Sequence, residues 1–150
     1  MRSPSAPITV NAVAPIRVCD IGGWTDTWFA RTGTIFNIAV YPYVEVQVHR
    51  IEGGSGHQIR IHAENYGQEF AVDPEHPDFR KHPLIEAAIL EMDLPRDYSL
   101  RINIFSDAPP GASTGTSAAV SVALIGALDV LTPGRLTPHE VASLAHSIET

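Results

Sequence analysis

Residues 107–119 read Asp107-Ala108-Pro109-Pro110-Gly111-Ala112-Ser113-Thr114-Gly115-Thr116-Ser117-Ala118-Ala119. The segment before them, Tyr98–Phe105, sets Leu100, Ile102 and Ile104 against Arg101 and Asn103, the alternation of a strand. The segment after them, Ser117–Leu131, is apolar almost all round and predicts a buried helix. The stretch is therefore a strand-to-helix loop of small residues. Small side chains let backbone N–H groups approach an anion closely. The opening turn of a helix adds unpaired donors and the positive end of its dipole. Ser113, Thr114, Thr116 and Ser117 add hydroxyls, one of which can serve as an oxygen ligand to Mg2+. No Gly-Lys-Ser/Thr occurs and the stretch holds no Lys, so it is not a Walker loop. A plain connection with Ser/Thr capping has the same composition, and the residues alone leave both readings open.

Working outward, Ile8–Val13 and Ile16–Cys19 read as strand pieces with Pro15 as punctuation between or within them. Ile21–Thr27 is a turn holding two adjacent glycines. Thr34–Val40 is β-rich, and Tyr43–His49 alternates cleanly. Gln58–His62 alternates again and is expected to pair with Tyr43–His49 as a hairpin across the turn Glu52–Gly56. Gln68–Val72 suggests a short strand, Asp73–His82 a loop and Leu84–Met92 a helix. Thr137-Pro138-His139-Glu140 carries an N-cap, a proline at the first helical position and a glutamate three residues after the cap. That helix meets Thr150 without a stop signal, so the reading expects residues 1–150 to be an incomplete domain. The order predicts an α+β fold, with helices covering one face of a mostly antiparallel sheet.

The chain has 150 residues, 44% hydrophobic and 18% charged, enough for one domain with a core. Its net charge of −7, without a basic run, argues against nucleic acid as a partner. A phosphate site in such a chain must make its own positive potential from amides, an arginine or a metal. Cys19 is the one cysteine, so no internal disulfide forms, and a reducing, cytoplasmic setting fits. Residues 118–130 form the longest apolar stretch, too short to span a bilayer, and no membrane partner is expected. The histidines have no ligand spacing.

Pro109–Ala119 resembles the second motif of the GHMP kinases, Pro-x-Gly-x-Gly-Leu-Gly-Ser-Ser-Ala-Ala, with Ser113 for Gly, Thr114 for Leu and Thr116 for Ser. Galactokinase, homoserine kinase and mevalonate kinase are in that family. Ala14–Thr27 resembles the first motif, and its Gly22-Gly23-Trp24-Thr25-Asp26 is closest to the spelling of heptose-phosphate kinases and fucokinases. Gly23 and Trp24 stand where galactokinase has Glu and His, so galactose itself is a poor substrate expectation.

The resemblance implies a ribosomal protein S5 domain 2-like amino-terminal kinase domain, with the carboxy-terminal domain of the family absent from this chain. It implies ATP-dependent phosphorylation of a sugar or sugar-phosphate hydroxyl. The phosphates would lie on Pro110, Gly111, Ala112, Ser113, Thr114, Gly115, Thr116 and Ser117. The substrate would meet Arg17, Gly22, Gly23, Trp24, Thr25 and Asp26, with Arg17 also stabilising charge on the transferring group. Mg2+ would be held by Ser117 and Glu149. The catalytic aspartate is expected beyond Thr150, which makes the isolated 150-residue chain inactive. Asn65 and Tyr66 fall near the family's adenine pocket, and an exposed turn is the reading preferred for them. Three plain alternatives stay open: an Arg17–Asp26 surface pair, a core Trp24 and a solvated Glu149. So do two other functions on the same fold, a sugar/ATP sensor without turnover and a diphosphomevalonate decarboxylase. The sequence sets no oligomeric state.

Overall fold

The computed structural model describes residues 8–23, 29, 32–52, 58–109, 111–132 and 134–149. Five strands form one sheet in the order β1-β2-β5-β3-β4. They are β1 (Ile8–Ile21), β2 (Phe36–Glu52), β3 (Ile59–Ala63), β4 (Gln68–Val72) and β5 (Tyr98–Ser106), with a 3-10 turn at Glu64–Tyr66. The helices are α1 (Pro83–Glu91), α2 (Thr116–Asp129) and α3 (Pro138–Glu149). All strand pairs are antiparallel except β3 with β5. This is the expected α+β architecture.

The inward rows of the sheet carry the core. Val44, Val46 and Val48 of β2, Leu100 and Ile102 of β5, and Ile59 and Ile61 of β3 are all at most 1% exposed. Against them lies α2, burying Ala119, Ala123, Leu124, Ile125, Ala127 and Leu128. The other side of α2 is covered by α1 and by α3, which contributes buried Ala145 and half-buried Val141, Leu144 and Ile148. Cover on both sides explains why α2 is apolar all round. Each fully buried Leu or Ile contributes about 1.5–3 kcal/mol. At the start of α3 the expected capping box forms: Glu140 Oε2 accepts from Thr137 N at 2.7 Å, and Glu140 N donates to Thr137 Oγ1 at 3.3 Å.

Two expectations are corrected. The segment at 58–62 does not pair with β2. Instead β3 pairs with β4 and, in parallel, with β5, which inserts between β2 and β3. The crossover through β4 and α1 delivers β5 to the centre, where its apolar row meets apolar rows on both flanks. The pieces read on either side of residues 41–42 are one long strand, β2, and those around Pro15 join as β1. Their register shifts between Pro15 and Ile16, opposite the cis Tyr41–Pro42 peptide. Proline has no N–H for the ladder, so the chain bulges there and pairing resumes beyond it.

Candidate active site

The loop after β5 docks on the free edge of β1. Arg17 N donates to Thr114 O at 2.8 Å, using an N–H that an edge strand leaves unpaired. Within the loop Ala112 N reaches Pro109 O at 3.3 Å, and the Thr114 and Thr116 hydroxyls lie 3.0 Å apart. Gly111, Ser113 and Gly115 have φ of 78°, 56° and 68°. Left-handed residues thus alternate with residues of ordinary φ, the backbone pattern found in anion nests. Ser113 thus adopts the left-handed conformation that the motif's glycine implies, at a cost of about 1–2 kcal/mol for a residue with a Cβ.

Gly115 is the N-cap of α2, and no side chain caps the helix. The first intrahelical bond is Ala119 N to Gly115 O at 3.0 Å, so the N–H groups of residues 116–118 have no partner within the helix. The positive charge comes from Arg17. A Cβ built on Gly115 would stand 2.9 Å from Arg17 Nε and 3.2 Å from its Cγ, so the arginine side chain lies directly over the glycine. The structure therefore brings together Arg17 and the 111–117 loop, which the sequence holds almost a hundred positions apart.

A cavity of about 440 Å3 opens beneath the loop. Its lining includes residues 111–117 together with Asn65, Tyr66, His82, Leu84 and Val120. The His82 ring stacks on Phe70 at 4.9 Å and tilts against Tyr66 at 5.6 Å, while its Nε2 meets Gln68 Oε1 at 2.9 Å. Tyr66 is 57% exposed, as a surface turn predicts, yet its ring forms part of the cavity wall. His82 and Leu84 carried no functional signal in the sequence, since a Pro-rich loop followed by a short helix has no chemistry of its own.

Gly22 follows β1 with φ of 80°, and a Cβ there would fall 2.0 Å from the Thr34 carbonyl oxygen. The chain leaving β1 and the chain entering β2 thus touch at a position only glycine fits. Gly23 is exposed beside it. Pro110, Trp24, Thr25 and Asp26 lie outside the described residues. Cys19 is half-buried, with its Sγ 3.6 Å from Ile21 O, as a small strand residue.

Ser117 stands exposed in the first turn of α2, and Glu149 stands exposed at the end of α3. Among the described residues no hydrogen bond or ion pair joins them, and no three His, Cys, Asp or Glu side chains cluster as a metal site. A hydroxyl and a carboxylate are the oxygen donors a hard cation takes when phosphate oxygens complete its shell, so the donor chemistry fits Mg2+. Among the described residues no helix is long and apolar enough to cross a membrane.

Residues 83–150 match the family GHMP kinases N terminal domain. A mevalonate kinase of Thermococcus sibiricus is 52% identical over 48 residues, 32% of this chain and 14% of that protein. The D-glycero-D-manno-heptose 1-phosphate kinase of Bacteroides thetaiotaomicron superposes with a TM-score of 0.74 at 25% identity, covering 93% of this chain and 47% of that one. Methanococcus jannaschii mevalonate kinase gives 0.75 at 15% identity, covering 98% and 47%. The chain spans about half the length of these solved structures. Residues 83–150, which hold the loop, α2 and α3, thus match the GHMP kinases N terminal domain, and the fold of the chain is similar to that of these solved kinases.

Proposed function

We propose that the cavity beneath the 111–117 loop holds ATP and that this domain serves a kinase phosphorylating a hydroxyl of a sugar or sugar phosphate. The observation that carries the reading is the open nest at the uncapped start of α2, facing a cavity of about 440 Å3. A loop packed shut beneath neighbouring side chains would have removed any anion site. Instead Gly111, Ala112, Ser113 and Ser117 are exposed.

The triphosphate lies on the amides and hydroxyls of residues 111–117, and the base lies against the wall formed by Tyr66, His82 and Leu84. Phosphoryl transfer requires mainly positioning and charge neutralisation. The loop holds the phosphates in line, and Arg17, reaching them over Gly115, balances charge that develops on the transferred group. Ser117 and Glu149 would hold Mg2+, whose charge offsets that of the phosphates when it is bound. Trp24 offers a ring face to the acceptor, and Asp26 accepts hydrogen bonds from vicinal hydroxyls. A hydroxy acid such as mevalonate is the second acceptor class, favoured by the 52% identical stretch shared with the Thermococcus enzyme.

Calorimetric titration of the chain with ATP and with inorganic tripolyphosphate tests the nucleotide site. Binding of both is expected, ATP the more tightly. An ADP-release assay of the protein carrying this domain, over aldoses, sugar phosphates and mevalonate, then reads the acceptor. If neither ATP nor tripolyphosphate binds, the reading fails.

A further inference from the structure

We infer that Asn65 is a positioning residue that fixes the nucleoside end of the cavity in register with the phosphate loop; this rests on the nucleotide reading above. The β3–β5 ladder ends with Ala63 opposite Ile104. Two residues further along, a continuing strand would place residue 65 opposite Ser106. The chain has instead turned into the 3-10 helix, and the side chain of Asn65 supplies what the backbone no longer does. Its Oδ1 accepts from Ser106 N at 2.7 Å, and its Nδ2 donates to Ser106 O. An amide carries one acceptor and a paired donor on a flat group, the pattern needed to complete both bonds to one peptide.

Both ends of this clamp lead into the cavity. Ser106 is the last residue of β5, 5% exposed, and its Oγ accepts from Ala108 N at 3.1 Å, where the loop begins. Tyr66, next after Asn65, forms the wall against which the base is placed. One side chain therefore ties the base wall to the phosphate loop. The five-pair ladder of residues 59–63 with 100–104 holds the sheet without it. One acceptor site and one N–H of the amide are engaged by Ser106, which orients Asn65 and, through it, the neighbouring Tyr66 on the cavity lining.

The consequence is selective. Replacing Asn65 leaves the nest intact but lets the base wall drift, so it weakens ATP and spares a ligand with no base. Asn65→Ala is expected to lower ATP affinity roughly tenfold, about 1.4 kcal/mol, and to leave tripolyphosphate affinity within about twofold. Asn65→Asp keeps the acceptor for Ser106 N but sets a carboxylate oxygen against Ser106 O, and is expected to lose at least as much. Calorimetric titration of the wild-type chain and both variants with ATP and tripolyphosphate is the test. Equal losses for the two ligands would mean that the loop itself collapses, and no loss for either would mean that the clamp is idle; each overturns the inference while the nucleotide site stands. Wild-type chain that binds neither ligand overturns both.

Discussion

Gly115→Ala separates the two demands the structure makes on one residue. The first is conformational. Gly115 has φ of 68°, and an alanine held there costs about 1–2 kcal/mol. The second is steric. The new Cβ would sit 2.9 Å from Arg17 Nε, 3.2 Å from Cγ and 3.5 Å from Cδ. These atoms belong to a flexible side chain, so the arginine swings aside and the clash adds little to the stability loss. It removes the guanidinium from the loop, however, and loss of one group that stabilises transition-state charge costs roughly 10²–10³ in turnover. Gly111→Ala is the comparison: its φ is 78°, but no atom lies within 4 Å of the added Cβ. Denaturant melts are expected to show similar losses for the two variants. ADP release by the protein carrying this domain is expected to fall far more for Gly115→Ala. The decisive measurement is Gly115→Ala in an Arg17→Ala background. With the arginine gone, the added methyl has nothing to displace and should lower turnover no further than Gly111→Ala does. A second full loss in that background refutes the idea that Gly115 is small for the sake of Arg17.

Ser117→Ala removes an exposed hydroxyl from the first turn of α2; turnover is expected to fall by about 10²–10³ with the melting temperature unchanged. Gly22→Ala puts a Cβ 2.0 Å from a backbone carbonyl oxygen that cannot step aside, at a residue with φ of 80°. A stability loss of roughly 2–5 kcal/mol is expected in urea melts, the sum of overpacking and left-handed strain. Thr137→Ala breaks the capping box of α3 and should cost about 1 kcal/mol at neutral pH. Hydrogen bonds from Thr137 N and then from the Thr137 hydroxyl hold the Glu140 carboxyl below its ordinary value of 4.5. A depressed carboxylate stabilises the fold above its unfolded value, and that contribution is lost as pH falls through the folded one. Acid titration of helix content should therefore show α3 weakening below pH 4.5, and Glu140→Gln should flatten that part of the curve.

Local periodicity made the elements legible, because each side chain's face is decided by its neighbours two or four places away. Val44, Val46 and Val48 read as one buried row, and they are one. Strand order is not local. Nothing in Gln58–His62 or Tyr98–Phe105 says that the second will slide between the first and β2; that is settled by pairing between segments far apart in the chain. Whether the pieces on either side of Pro15 join was left open for a related reason: a bulge between two partners lets pairing resume, and a partner is invisible in one segment alone. In the site, the small residues made the strand-to-helix loop legible, while its reading as a phosphate loop and the choice of Arg17 came from the family motifs. Their contact was not, since it depends on β1 being the edge strand. Asn65 was nearly silent: an Asn after a strand is an ordinary turn residue until its amide is seen to complete the ladder of Ser106.

Ser113 shows how the loop holds its shape. Glycine reaches φ of 56° without strain, whereas serine does so only if its surroundings leave no alternative. Here they leave little. Thr114 O is fixed by Arg17 N on the edge of β1, and Gly115 O by Ala119 N in α2, so both residues following Ser113 are anchored by elements of the core. Upstream, Ser106 and Ala108 tie the exit of β5. The nest is therefore imposed by the sheet and the helix at its ends, and it does not depend on a glycine at its centre. A glycine at 113 would relieve the local cost but would also lose more freedom on folding, about 0.5–1 kcal/mol. The second term offsets about half of the first, and the anchors at both ends hold the remainder, which is why a serine can stand at this position and keep the amides in place.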